Sequence, residues 1–170
     1  MDKFGRRIYH SPRQFGEEFW FLIRNRAHIR ALMRHNLLSP AFRERLMMAV
    51  TAVNGCRYCS YFHAREALLA GISEAEVESL LSGVVGHCPE EEAAAIFYAQ
   101  HWAESDAHPD PQARRKLAQV YGDDTAAAIE LALRMIRMGN LMGNTWDYLL
   151  YRVSLGRWGL LKDELLSQMV

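Results

Sequence analysis

The 170-residue sequence has no surplus of either charge: lysine plus arginine number 20, and aspartate plus glutamate number 20. That balance removes the basic excess of a nucleic-acid or anionic-lipid binder and leaves no acidic tail. Cysteine is scarce. There are three in all, and an odd number cannot pair completely within one chain, so a secreted disulfide scaffold is not expected. Five prolines and eleven glycines are too few for a collagen-like or linker-dominated chain. Long apolar runs are missing as well. Uncharged stretches such as Leu46 to Cys56 run about eleven residues, against the ~20 a membrane helix needs. The N-terminal MDKFGRRIYHSPRQFGEEF lacks the apolar core of a secretory signal. A phosphate-cradling glycine loop or dinucleotide fingerprint is also absent, so no nucleotide or other cofactor is expected. The expectation is a cytoplasmic protein with neither nucleic acid nor a membrane as partner.

What is present reads as helix. Half the residues are hydrophobic and 24% are charged, enough apolar material for a folded core. Strand-like alternation is lacking, and helix punctuation recurs. Ser11-Pro12 and Ser39-Pro40 each place an N-cap serine before proline at the first helical position. They predict a first helix to about Met33 and a second from Pro40 to about Val53. Asn54-Gly55 breaks the chain before a third helix, from about Cys56 to Ala70, which Gly71 stops. Ser73 and Glu76 form a capping box for a short fourth helix. Pro89 opens a fifth with three glutamates in its first turn. Pro109 and Pro111 delimit a sixth, ending near Gly122. Asp123 or Asp124 then caps a long helix through Tyr151, and a short tail helix closes the chain. The expected architecture is one all-α domain over residues 1–170, with a motif-bearing core at about 39–106 and the long helix at about 124–151.

The segment LMMAVTAV, Leu46 to Val53, is apolar nearly all round, which predicts burial on several sides, with a partner subunit covering what the chain cannot. On the long helix, Gly139 and Gly143 permit close helix approach. Asn140, Asn144 and Asp147 share a face suited to interhelical hydrogen bonds or to lining a pocket. Trp20, Trp102, Trp146 and Trp158 are read as core or subunit interface.

Chemistry concentrates in NGCRYCSYFHAREALLAG, Asn54 to Gly71. At 100° per residue, Cys56, Cys59 and His63 fall within an arc of roughly 60° on one helix face. Residues three apart have Cβ atoms about 5–6 Å apart, within reach of a reversible disulfide. His63 lies one turn after Cys59 and can exchange a proton with its thiol. Ser60, Ala67 and Ala70 share that face and leave room for a helix or a substrate, while Tyr58, Tyr61, Leu68 and Leu69 on the opposite side read as core. The thiolate is the nucleophile, and a free cysteine needs a helix N-terminus or a nearby base to supply it at neutral pH. Glu44, on a face with Met48, Thr51 and Gly55, is either a solvated charge beside Arg43 and Arg45 or a proton-exchanging carboxylate at the edge of a buried helix. Glu66, three after His63, competes for that role. Zinc on Cys56, Cys59 and His63 is a rival reading. It needs a fourth ligand, which His87 or Cys88 would have to supply, and a single helix chelates a tetrahedral ion awkwardly, so no metal is expected. Inert core cysteines are the other rival. Cys88, before Pro89, reads as a packed small residue.

Glu44-x11-Cys56-x-x-Cys59-x3-His63, with the Asn-Gly entrance and the AREALLAGIS exit, resembles the alkylhydroperoxidase AhpD-like, or carboxymuconolactone decarboxylase-like, superfamily. The resemblance covers about Ser39 to the fifth helix. It implies an all-helical, obligately oligomeric fold, commonly a trimer or hexamer, and reduction of hydroperoxides at the expense of an external dithiol. It further implies that Cys59 attacks the peroxide, that Cys56 forms the disulfide with it, and that Glu44 and His63 relay protons. Where the characterised peroxidases have a second histidine, between the cysteines and adjacent to the second, this chain has Tyr58. The decarboxylase branch generally lacks the cysteine pair, which argues against lactone decarboxylation. A non-peroxidatic member, such as a thiol–disulfide oxidoreductase, a decarboxylase-like enzyme or a structural oligomer, is the alternative.

Overall fold

The computed structural model describes residues 4–34, 37–162 and 164. Among these residues it contains eight helices and no strand: α1 (Pro12–Arg24), α2 (Arg26–Arg34), α3 (Pro40–Asn54), α4 (Arg57–Leu69), α5 (Glu74–Leu81), α6 (Glu90–Glu104), α7 (Pro111–Tyr121) and α8 (Asp123–Val153). None of the described helices is long and apolar enough to cross a membrane.

Local chemistry sets most boundaries. The side chains of Ser11, Ser39 and Ser73 each accept a backbone N–H in the first turn of the helix they precede, satisfying a donor with no intrahelical partner. Gly55 ends α3 in the left-handed region at φ 69°, where a side chain would be strained. Three expectations are corrected. The first helix divides at Asn25, whose backbone N–H and side-chain amide both donate to the Phe21 carbonyl. The capping box is half-made: Ser73 caps, but the Glu76 carboxylate is taken by Arg45. Gly122, not an aspartate, precedes α8, and Asp123 and Asp124 lie in its first turn, where they favour the positive end of the helix dipole. The expected tail helix falls largely on residues outside those described.

Helix α3 is the hub. It packs on α4, α5, α6 and α8, and Leu46, Met48 and Val50 meet Ile96 and Trp102 of α6 and Ile129 and Leu133 of α8 in the core. Enclosure on several sides therefore agrees with its apolar circumference. It also takes the neighbouring charges, Glu44 and Arg45, out of water. By contrast α1 buries no residue and α2 only Leu32. Of the tryptophans, Trp102 is core, while Trp20, Trp146 and Trp158 are exposed.

Candidate functional site

The cysteine motif sits where α3 hands over to α4. The Gly55 N–H donates to the Thr51 carbonyl at 2.8 Å, closing α3. The chain then enters α4 directly, with Cys56 as its N-cap. The Cys56 sulfur accepts the Cys59 N–H at 3.3 Å. A thiolate there would face the positive end of a helix, the setting that favours it. The two Cα atoms are 5.3 Å apart and the sulfurs lie at bonding distance.

The two sulfurs differ in access. Cys56 is fully buried, and a Cβ built on Gly143 of α8 would come within 2.8 Å of its sulfur. Glycine is what lets the backbone of α8 lie against it. Cys59 is partly exposed and lines a cleft of about 360 Å³ with Met47, Phe62, His63, Met135 and Gly139. Apart from the sulfur and the imidazole, the cleft wall is mainly apolar.

Glu44 reaches the same place from α3. Its Oε2 lies 2.7 Å from Nδ1 of His63, and both side chains are buried. An ionised carboxylate accepts the Nδ1 proton and leaves the other ring nitrogen, Nε2, as an acceptor. Glu44 Oε1 is 3.7 Å from Nε of Arg43. Glu66 is only half-buried, and the carboxylate on His63 is Glu44. Cys59 and His63 thus both line the cleft, with Cys56 buried against the first and Glu44 against the second. Among the described residues no three His, Cys, Asp or Glu side chains converge as a metal ion would require. Cys88 stands apart, half-buried, and burial pushes its thiol up from the ordinary value.

One expectation about α4 is reversed. Tyr58, Tyr61, Leu68 and Leu69 are exposed, Tyr61 at 78%. The inward face is instead the small-residue face, with Cys56, His63 and Ala67 buried. Small side chains let α4 approach α3 and α8 closely, so its larger residues point outward.

A second set of polar residues, on α8, supports this junction. The Asn144 amide donates to the Asn54 carbonyl at 2.7 Å and to the Arg7 carbonyl at 3.0 Å. Asn140 accepts from the Asn54 amide and donates to Thr51 Oγ1, each at 3.1 Å. Thr51 and the three asparagines are buried, and the interhelical reading of Asn140 and Asn144 holds. Asp147, fully buried, accepts from Arg6 and Arg57 at 2.7 Å each and from the Tyr58 hydroxyl at 2.8 Å. Arg6, Arg57 and Tyr58 carry no sequence signal for this role. They become visible only because α8 runs alongside the cysteine turn.

Residues 19–101 match the model of the carboxymuconolactone decarboxylase family. No curated protein and no solved structure matches the chain.

Proposed function

With residues 19–101 placing the chain in the carboxymuconolactone decarboxylase family of the AhpD-like superfamily, we propose that it is a peroxidase-type oxidoreductase that works through the Cys56–Cys59 pair. The observation that carries this reading is the unequal access of the two sulfurs beside a buried Glu44–His63 couple. In the dithiol state His63 accepts the Cys59 proton, and Glu44 supports the imidazolium that forms. The Cys59 thiolate attacks the terminal oxygen of a hydroperoxide. The S–O bond forms, the O–O bond breaks, and the departing alkoxide takes a proton from the imidazolium and leaves as the alcohol. Cys56 then attacks the sulfenic sulfur, releasing water and forming the disulfide. An external dithiol restores the pair. Its thiolate attacks Cys59, the sulfur that the cleft exposes, and expels Cys56, whose charge the Cys59 N–H receives.

Hydroperoxide consumption in the presence of a dithiol tests the proposal directly. Cys59→Ser is expected to abolish it, and Cys56→Ser to let a sulfenic acid accumulate, visible by dimedone trapping and mass spectrometry. Unchanged consumption by Cys59→Ser would sink the mechanism. One observation favours a second reading. The Tyr58 hydroxyl, at the position of the further relay histidine, is committed to Asp147, and thiol–disulfide exchange with a partner would make less demand on a relay. Exchange with external thiols without peroxide turnover would select that reading.

The working unit is proposed to be a homo-oligomer. Tyr61 and Leu69 on α4, and Trp146, Leu149 and Val153 on α8, expose apolar surface of the kind that subunits cover. Sedimentation at micromolar concentration checks this, and a monomer would reject it.

A further inference from the structure

The two residues between the cysteines converge on one buried carboxylate. We propose that Asp147 is a positioning residue that sets the redox equilibrium of the Cys56–Cys59 pair, acting through Arg57 and Tyr58 and favouring the disulfide. This rests on the reading above only in requiring that the pair exchanges with external thiols.

The geometry is specific to the cysteine turn. Asp147 Oδ1 accepts from Arg57 Nη2 at 2.7 Å and from the Tyr58 hydroxyl at 2.8 Å, so both intervening side chains end on the same oxygen. Arg57 Nη2 also donates to the Tyr58 oxygen at 2.8 Å, and its guanidinium stacks 4.8 Å from the centre of that ring. Asp147 Oδ2 accepts from Arg6, whose aliphatic stem packs on Gly55, the residue before Cys56. One turn back along α8, Gly143 brings the helix backbone against the Cys56 sulfur and the Tyr58 ring. Gly143 and Asp147, four apart, lie on one face of α8. Together they hold the first turn of α4 at Cys56, Arg57 and Tyr58, in the arrangement that brings the sulfurs together.

Two effects follow, and they have the same sign. A held turn keeps the second thiol close to the first, which stabilises the bonded form relative to two free thiols. The carboxylate also offsets the arginine cations flanking Cys56. A thiolate exists only in the reduced pair, so a neighbouring negative charge disfavours that state. Removing the charge of Asp147 therefore frees the turn and takes the carboxylate from Arg57, next to Cys56 in the chain, while Arg6 keeps only the Glu164 carboxylate. Both consequences favour the dithiol.

The test is the equilibrium of the full chain with glutathione. Two glutathione thiols and the Cys56–Cys59 disulfide give two cysteine thiols and one glutathione disulfide, and alkylation with mass detection reads the ratio. Asp147→Asn is expected to move the equilibrium toward the dithiol by about tenfold, equivalent to ~30 mV for this two-electron couple. Tyr58→Phe keeps every charge and removes two hydrogen bonds, the one to Asp147 and the one from Arg57. Only the bond to Asp147 ties the turn to α8, and its loss is expected to move the equilibrium the same way by about threefold, as a bond of ordinary net strength allows. If Asp147→Asn loses its helical circular dichroism, Tyr58→Phe decides. A folded Tyr58→Phe protein at the wild-type equilibrium, or shifted toward the disulfide, overturns the proposal. A wild-type pair that never exchanges with glutathione overturns the dithiol reading along with it, whereas exchange that neither variant alters overturns this inference alone.

Discussion

Glu44 and Arg45 are neighbours on α3, both buried, and they serve opposite ends. Arg45 reaches α5 and α6: its guanidinium grips Glu76 through Nε at 2.5 Å and Nη2 at 3.2 Å, and Glu92 through Nη1 at 3.0 Å. Glu44 turns to α4 and meets an imidazole at 2.7 Å. The first is a clamp made by a side chain that never loses its proton, bidentate on Glu76, and it holds three helices together. The second joins two groups that can both exchange protons, beside a cleft that contains a sulfur. Burial of charge is common to both, so burial does not mark the site. What marks it is a titratable partner and access for a small molecule. Cys88, close enough to Arg45, Glu76 and Glu92 to feel their charges, has neither the second thiol nor the imidazole.

That contrast can be broken in graded ways. The largest effect is expected from Arg45→Met, which leaves Glu76 and Glu92 without their cation. It should cost about 3–5 kcal/mol of stability by urea denaturation, as removal of one member of a buried ion pair does, while turnover per folded molecule stays near wild type. Glu44→Gln is the mirror image. It keeps the shape but removes the carboxylate that supports the His63 imidazolium, so kcat/KM for hydroperoxide should fall roughly 10²-fold with little change in the urea midpoint. If Arg45→Met abolished turnover in folded protein, or Glu44→Gln left it untouched, the division of labour on α3 would be wrong. Gly143→Ala comes next. Its methyl would press on the Cys56 sulfur and the Tyr58 ring, costing about 1–3 kcal/mol by overpacking and slowing reduction of the disulfide in a dithiol assay.

The smallest effect is a pH slope. Burial raises the carboxyl of Glu92 above its ordinary value, and Arg45 only partly opposes that. The folded state therefore binds this proton more readily than the unfolded chain. The contribution is favourable below the ordinary carboxyl pKa and is lost as pH rises through the raised value. Glu92→Gln should flatten that part of the stability–pH curve, and an unchanged slope would show that Glu92 does not produce it.

The site was only half legible in the sequence. The register of Cys56, Cys59 and His63 on one face needed nothing beyond helical periodicity, and the α4 entrance was marked by Asn54-Gly55. Glu44 stayed ambiguous between a solvated charge and a relay member, because its surroundings depend on helices far along the chain. Tyr58 and Leu68 read as core in the sequence yet lie outside: a large apolar side chain and a small-residue face both read as inward, and only the close approach of α8 decides between them. In the sequence Asp147 shows only the face it shares with two asparagines, and nothing there marks its grip on the cysteine turn.

The sequence by itself therefore determined where helices start and stop, that they are helices, and that two thiols and an imidazole share a face. These properties arise within one or two turns, from caps, glycines and a repeat of 3.6 residues. Tertiary structure alone decided which sulfur is sealed under Gly143, which carboxylate His63 meets, and what holds Arg57 and Tyr58. Those partners lie 19 residues apart for Glu44 and His63 and 90 apart for Arg57 and Asp147. They meet only because α3 is enclosed and the glycine face of α8 lets another helix pack against its backbone.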